Sequence, residues 1–126
     1  VGTGYVGLVV GTCLSDLGFH ITCVDRDKEK IEGLNKGVLP IYEPGLAPVL
    51  TRNVRESRLF FTTEAEPSVS GAEVVFIAVG TPGLDDGSAD VSGVLAVAEM
   101  IGRFMSQRCV VVIKSTVPVG TADRVR

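Results

Sequence analysis

The feature that most constrains the fold is a run of three closely spaced glycines, Gly2, Gly4 and Gly7, which spell G-x-G-x-x-G. In dinucleotide-binding folds the first glycine makes a tight strand-to-helix turn, and the second lets the backbone approach a pyrophosphate. The third lets the new helix pack close to the sheet. That helix directs free N–H groups and its positive dipole end at the phosphates. Because 15 glycines in 126 residues can produce this pattern by chance, the pattern needs support from the residues around it.

An acidic residue at the required distance gives that support. An apolar helical stretch follows the glycines, a β-branched run covers residues 20–24, and Asp25 comes directly after it. A carboxylate about 20 residues beyond the glycines accepts hydrogen bonds from ribose hydroxyls and repels a 2′-phosphate. Asp25 therefore predicts NAD rather than NADP, although the neighbouring Arg26 is a group that can bind such a phosphate. Lys30 is either a contact to the adenosine ribose or phosphates, or a solvated charge on a helix.

Strand and helix patterns alternate along the chain. Strands are predicted at residues 20–24, 59–62, 73–79 and 109–113, with the last two buried and 73–79 covered on both faces. Helices are predicted after the glycines and at residues 28–36, 46–54, 64–70 and 91–105. This order predicts an α/β fold, a Rossmann-like parallel sheet with helices on both faces. Only Val1 precedes the glycine turn, and residues 121–126 open a helix. We therefore expect residues 1–126 to form a partial domain, truncated at both ends with its first strand mostly missing.

Two threonines mark further candidate contacts. Ligands of open α/β sheets bind outside the carboxyl ends of the strands. Thr81 and Thr116 each follow a predicted buried strand, and their hydroxyls can hydrogen-bond to a ribose or a carboxamide. The alternative is that each threonine only forms a turn.

The remaining reactive side chains are predicted to be structural. Cys13, Cys23 and Cys109 lie in predicted core elements and show no C-x-x-C spacing, so we expect buried thiols, no metal site and a reducing, cytoplasmic location. The single histidine, His20, is predicted to lie at the surface. A net charge of −3 and a pI of about 5.1 argue against a nucleic-acid partner. No apolar run reaches the roughly 18 residues of a membrane span, so no membrane partner is expected.

Several longer motifs in the chain carry a resemblance to a known family. They are Gly2-Thr3-Gly4-Tyr5-Val6-Gly7, Val24-Asp25, Pro40-Ile41-Tyr42-Glu43-Pro44-Gly45-Leu46, Ala78-Val79-Gly80-Thr81-Pro82, Asp86-Gly87-Ser88-Ala89-Asp90 and Lys114-Ser115-Thr116-Val117-Pro118-Val119-Gly120-Thr121. In this order they closely resemble the N-terminal NAD-binding domain of the UDP-glucose/GDP-mannose dehydrogenases. The resemblance covers essentially the whole chain. One departure is Gly83, which stands where a second proline is common in the family.

The resemblance implies an activity. These enzymes oxidise the C6 alcohol of a nucleotide sugar to a carboxylate with two NAD, through an active-site cysteine that holds the aldehyde stage. UDP-glucose, which would give UDP-glucuronate, is the favoured substrate, chiefly because of the segments 86–90 and 117–121. GDP-mannose and UDP-N-acetylmannosamine are the alternatives. A non-enzymatic NAD-binding module and a different Rossmann dehydrogenase remain open as other classes.

The resemblance also implies residue roles. Tyr5 and Val6 would touch the pyrophosphate, and Asp25 the adenosine ribose, with Lys30 beside it. Thr81 would lie near the nicotinamide side of the cofactor.

A catalytic role is implied for Thr116, which would contact the cofactor and help to place the water used in catalysis. The family's nucleophilic cysteine and its sugar-nucleotide contacts would lie beyond Arg126. We therefore expect the catalytic and sugar-nucleotide domains to be absent from this chain, and the 126 residues alone to be inactive. The parent enzyme is expected to be a homo-oligomer.

Overall fold

A computed structural model describes residues 1–126, and its strands form two parallel pairs. The first pair joins β1 (Ile21–Val24) to β2 (Leu59–Thr62), with Ile21 opposite Leu59. The second joins β3 (Val74–Ile77) to β4 (Val110–Ile113), with Val74 opposite Val110. The predicted strands therefore form, each within a few residues of its predicted bounds, and all of the pairing is parallel.

Val1 and Gly2 lie between the two strand pairs. The N–H of Gly2 donates to the carbonyl oxygen of Val24 at 2.8 Å, and the N–H of Ala78 donates to the carbonyl oxygen of Val1 at 2.8 Å. This backbone bonds to both neighbours as a central strand does, and the order across the sheet is β2, β1, Val1–Gly2, β3, β4. The predicted Rossmann-like parallel architecture is confirmed.

Five helices lie between these strands, and a sixth follows β4. They are α1 (Tyr5–Asp16), α2 (Lys28–Asn35), α3 (Leu46–Arg55), α4 (Ala65–Ser70), α5 (Ser92–Phe104) and α6 (Thr121–Val125). Asp27 caps α2 as predicted, because its carboxylate accepts the N–H of Lys30 at 3.1 Å. None of these helices has the length and apolar character needed to span a membrane.

The core consists of two clusters. The first joins α1, α2 and α3 to the β1–β2 pair through Leu8, Cys23, Ile31, Leu34, Leu46, Leu50, Leu59 and Phe61. The second joins α4 and α5 to β3 through Val69, Val75, Ile77, Val94 and Ile101. Helix α1 approaches β1 closely at Gly11, where a Cβ would lie 2.7 Å from the Cys23 sulfur.

The prediction that Cys13 is buried is wrong. Helix α1 buries Leu8, Gly11, Thr12 and Ser15, while Cys13 is exposed. Cys13 is five residues after Leu8, which places it about 140° around the helix axis from the buried stripe. The spacing of apolar residues did not predict this buried stripe, because two of its four residues, Thr12 and Ser15, carry hydroxyls. The Ser15 hydroxyl is satisfied there, since it donates to the carbonyl oxygen of Thr12 at 2.8 Å.

The prediction of fully buried strands is also wrong for β3 and β4. Val75 and Ile77 pack in the second core cluster, but Val74 is 47% exposed and Val110 is 59% exposed. Burial in β3 therefore alternates along the strand. Val74 and Phe76 border an open groove of about 820 Å³ between the two strand pairs.

Candidate functional site

The glycine turn leaves no space for side chains at two of its three glycines. Gly2 has a φ of +96°, and a Cβ there would lie 2.7 Å from the carbonyl oxygen of Ala78. A Cβ on Gly7 would lie 1.9 Å from the carbonyl oxygen of Gly2. Gly2 therefore makes the tight turn, as predicted, and Gly7 lets α1 begin directly against that turn.

Gly4 is different because its surroundings are open. It is the N-cap residue of α1, no side chain caps the helix, and nothing lies within 4 Å of the position that a Cβ would take. The N–H groups of Tyr5, Val6 and Gly7 have no acceptor within the chain. Unpaired N–H groups at the positive end of a 12-residue helix fit an anionic ligand such as a pyrophosphate. The backbone here has the shape and charge that a dinucleotide requires.

Asp25 lies beside this turn and is held by several donors. The N–H and the hydroxyl of Thr3 both donate to its Oδ2, at 2.8 and 2.7 Å. Lys30 Nζ lies 3.2 Å from the same oxygen, and the Asp27 N–H donates to Oδ1 at 3.1 Å. Burial by itself would raise the pKa of Asp25, but these hydrogen bonds outweigh it and lower the pKa to about 2. The carboxylate is therefore ionised and can only accept hydrogen bonds, which suits a ribose diol.

Lys30 lies beside Asp25, with part of its side chain still exposed. It lies in the first turn of α2, and its ammonium forms an ion pair with Asp25. The Lys30 side chain keeps 29% of its surface exposed, against 12% for that of Asp25. Lys30 is thus part of the Asp25 cluster rather than an isolated solvated charge.

Tyr5 makes a contact that the sequence did not indicate. Its hydroxyl donates to the carboxylate of Glu43, 38 residues away in the loop before α3. This hydrogen bond raises the pKa of Tyr5. The loop that contains Glu43 therefore lies against the start of α1, next to the free N–H groups.

The two predicted threonines meet at the carboxyl ends of β3 and β4. The Thr81 hydroxyl donates to the carbonyl oxygen of Thr116 at 2.8 Å. Ser115 ties the same loops together, since its hydroxyl donates to the carbonyl oxygen of Val79 at 2.6 Å. The Thr116 hydroxyl makes no hydrogen bond within the chain, and the residue is exposed. It is therefore free to bind a ligand or a water.

The other reactive side chains differ in their exposure. Burial raises the pKa of the Cys23 thiol to about 11, so it remains protonated at neutral pH. Cys109 is partly buried and His20 is exposed, as expected for the histidine. No group of three or more His, Cys, Asp and Glu side chains is arranged to hold a metal ion.

Sequence reasoning missed Thr3, Glu43 and Ser115. Of the three, Thr3 was the easiest to predict, because a hydroxyl residue between two glycines of the turn can donate a hydrogen bond to the acidic residue after the next strand. Glu43 and Ser115 act across 38 and 36 residues of sequence, and no local pattern reports such a contact.

Comparison with known proteins gives consistent matches over the whole chain. Residues 1–126 match the profile of the UDP-glucose/GDP-mannose dehydrogenase family, NAD binding domain. The chain is 54% identical over 125 residues to a UDP-glucose 6-dehydrogenase of Pseudomonas aeruginosa, which covers 99% of this chain and 28% of that protein.

Two solved structures are similar in fold. A GDP-mannose dehydrogenase from Pseudomonas aeruginosa superposes with a TM-score of 0.92 at 40% identity, over 98% of this chain and 29% of that one. A UDP-glucose dehydrogenase from the hyperthermophilic archaeon Pyrobaculum islandicum gives a TM-score of 0.91 at 42% identity, over 98% and 31%. The chain spans less than a third of the length of these relatives.

Proposed function

The chain belongs to the UDP-glucose/GDP-mannose dehydrogenase family as its NAD-binding domain, and we propose that it serves an enzyme that oxidises UDP-glucose to UDP-glucuronate in two NAD-dependent steps. The observation that carries the proposal is the pairing of the open Gly4 turn with the ionised Asp25 carboxylate. The 54% identity to a UDP-glucose 6-dehydrogenase supports the choice of sugar.

In this proposal the backbone of the glycine turn binds the cofactor phosphates. The unpaired N–H groups of Tyr5 and Val6 donate to the pyrophosphate, and the missing side chain at Gly4 lets it approach. When bound there, NAD would supply the hydride acceptor for oxidation at C6 of the sugar.

Asp25 binds the adenosine ribose in this proposal and selects the cofactor. Its Oδ1 accepts only one hydrogen bond within the chain, from the Asp27 N–H, and so has capacity for a ribose hydroxyl. A 2′-phosphate beside the same carboxylate would meet a like charge. Lys30 offsets part of the negative charge of Asp25 and lies within reach of the same ribose.

Thr81 and Thr116 act on the nicotinamide side in this proposal. The hydrogen bond from the Thr81 hydroxyl to the Thr116 carbonyl fixes the two loops relative to each other. The unpaired Thr116 hydroxyl then contacts the cofactor and orients a catalytic water. Its role is to position these groups, since a threonine hydroxyl is a poor acid or base.

GDP-mannose is the second candidate substrate, because the similar GDP-mannose dehydrogenase superposes with a TM-score of 0.92. An assay of the full-length protein distinguishes the candidate substrates. It uses NAD with UDP-glucose, GDP-mannose or UDP-N-acetylmannosamine. We expect NADH formation with UDP-glucose at two NADH per sugar. A higher kcat/KM with another sugar would reject UDP-glucose, and one NADH per sugar would reject the two-step oxidation.

Cofactor choice is tested in the same protein by comparing kcat/KM for NAD and NADP. We expect NAD to be preferred. Asp25→Asn should reduce that preference by about 1–3 kcal/mol, the cost of losing a hydrogen bond to a charged group. Glu32→Gln is the control, because Glu32 is exposed on α2 and carries the same charge. Equal use of NADP by the unaltered protein, or a preference for it, would reject the assignment of Asp25 as the residue that selects the cofactor.

A further inference from the structure

Thr3 is the only residue of the glycine turn that is fully buried, with 0% of its surface exposed. Of its flanking residues, Gly2 is partly exposed and Gly4 is exposed. Both of its donors, the N–H and the hydroxyl, reach Oδ2 of Asp25, at 2.8 and 2.7 Å. A single residue thus binds one carboxylate oxygen twice.

The hydrogen bonds of Asp25 are divided unequally between its two oxygens. Oδ2 receives three donors, two from Thr3 and one from Lys30, whereas Oδ1 receives only the Asp27 N–H at 3.1 Å. A carboxylate oxygen offers about two lone-pair positions, so Oδ2 is fully used and Oδ1 is not. The double contact from Thr3 also fixes the rotation of the carboxylate, which the flexible Lys30 side chain cannot do alone.

We propose that Thr3 is a positioning residue for the cofactor, whose hydroxyl fixes the Asp25 carboxylate so that Oδ1 stays available to the adenosine ribose. The inference rests on the proposed binding of NAD at Asp25. Through this contact Thr3 contributes to the preference for NAD over NADP without touching either cofactor. The lowered pKa of Asp25 supports this, since both Thr3 hydrogen bonds stabilise the charged carboxylate.

The test removes the Thr3 hydroxyl and keeps the shape of the side chain. Thr3→Val deletes the donor but leaves the Thr3 N–H contact, and Thr3→Ser retains the hydroxyl. The control is Thr12→Val, because Thr12 is also fully buried and its hydroxyl has no hydrogen-bond partner. Affinities for NAD and for NADP are measured by calorimetry on the full-length protein over a range of pH, with melting curves recorded for each variant.

We expect Thr3→Val to weaken NAD binding about tenfold, as for a lost hydrogen bond to a charged group, with a much smaller change for NADP. The pH below which NAD affinity declines should move upward, because the pKa of Asp25 rises towards its ordinary value of 3.8. Thr3→Ser should recover most of the affinity, and Thr12→Val should leave it unchanged. If the valine variant folds poorly, Thr3→Ala removes the same donor and the same outcomes apply.

Three results would overturn the inference while leaving the proposed function intact. These are unchanged NAD affinity in Thr3→Val, equal losses for NAD and NADP, or no recovery in Thr3→Ser. An unaltered protein that binds no NAD would instead reject the proposed function, and the role of Thr3 with it.

Discussion

Gly4 and Gly7 lie three residues apart in one motif, but the structure assigns them opposite consequences when each is replaced by alanine. A Cβ on Gly7 would lie 1.9 Å from the carbonyl oxygen of Gly2, which is backbone and cannot rotate away. A Cβ on Gly4 would meet nothing within 4 Å, and the φ of −72° at Gly4 is one that alanine adopts freely. Gly7→Ala should therefore damage the fold, and Gly4→Ala should damage only binding.

The expected losses of stability and of NAD affinity follow from these contacts. Forcing an extra methyl into a packed site costs about 1–3 kcal/mol, and a backbone overlap belongs at the upper end. Alanine returns up to about 1 kcal/mol through its higher helix propensity, so Gly7→Ala should lose about 2 kcal/mol or more. For Gly4→Ala a weaker N-cap and a less flexible unfolded chain roughly cancel, within about 1 kcal/mol. Its NAD affinity should fall about 10- to 100-fold, since one or two charge-assisted hydrogen bonds to the pyrophosphate are lost.

The assay pairs thermal melting with NAD titration of the full-length protein and both variants. Gly102→Ala is the matched control, because Gly102 lies exposed in α5 with open space around it. It should keep NAD affinity and gain up to about 1 kcal/mol in stability. If Gly4→Ala binds NAD normally, the phosphates do not approach Gly4. If Gly7→Ala melts like the unaltered protein, the close contact between Gly7 and Gly2 is not a constraint on the fold.

Three other expectations follow from the structure. The folded pKa of Asp25, about 2, lies below its ordinary 3.8, so about 2 kcal/mol of stability is present above about pH 4 and lost as pH falls towards 2. Urea unfolding across that range should show the loss, and Asp25→Asn should flatten it. Thr116→Ala should lower kcat about 10- to 1,000-fold with little change in the nucleotide-sugar KM, and Thr116→Ser should restore part of it; an unchanged kcat would make Thr116 a simple loop residue. Asn53→Ala should cost about 2–3 kcal/mol in urea unfolding, because the buried Asn53 amide bonds to Asp16, Val49 and Arg58. Asn35→Ala is the comparison, because Asn35 is exposed and its amide makes one contact of 3.4 Å, to the carbonyl oxygen of Phe61. It should cost under about 0.5 kcal/mol, and equal losses of stability in the two variants would contradict the expected role of Asn53.

Element types were predictable because local patterns decide them. Residues 59–62 form a strand within the predicted bounds, and Asp27 caps α2 because its side chain reaches a backbone N–H three residues on. Burial was less predictable, because it depends on which surface meets a neighbour. Cys13 looked like a core residue, but α1 buries Thr12 instead, a hydroxyl residue that apolar periodicity does not detect.

The candidate site was predictable where backbone geometry defines it. The roles of Gly2 and Gly7 follow from the spacing of the motif, and the structure shows the close contacts that both positions require. The contact between Tyr5 and Glu43 was not predictable, because it depends on where a loop 38 residues away comes to rest. Long-range hydrogen bonds of this kind are set by the packed fold rather than by any short stretch of sequence.

The low pKa of Asp25 also leads to an expectation for how NAD affinity depends on pH. At a pKa of about 2 the carboxylate stays ionised between about pH 5 and 8, so its hydrogen bonds to a ribose do not change over that range. His20 is the only histidine, and it precedes the amino end of β1, whereas Asp25 follows the carboxyl end about 17 Å away. NAD affinity should therefore be constant across this interval, even where kcat varies. Titration of NAD by calorimetry in that range checks this, and a tenfold change would mean that another group contacts the cofactor. A pH dependence of kcat alone would then report on the groups that act on the sugar.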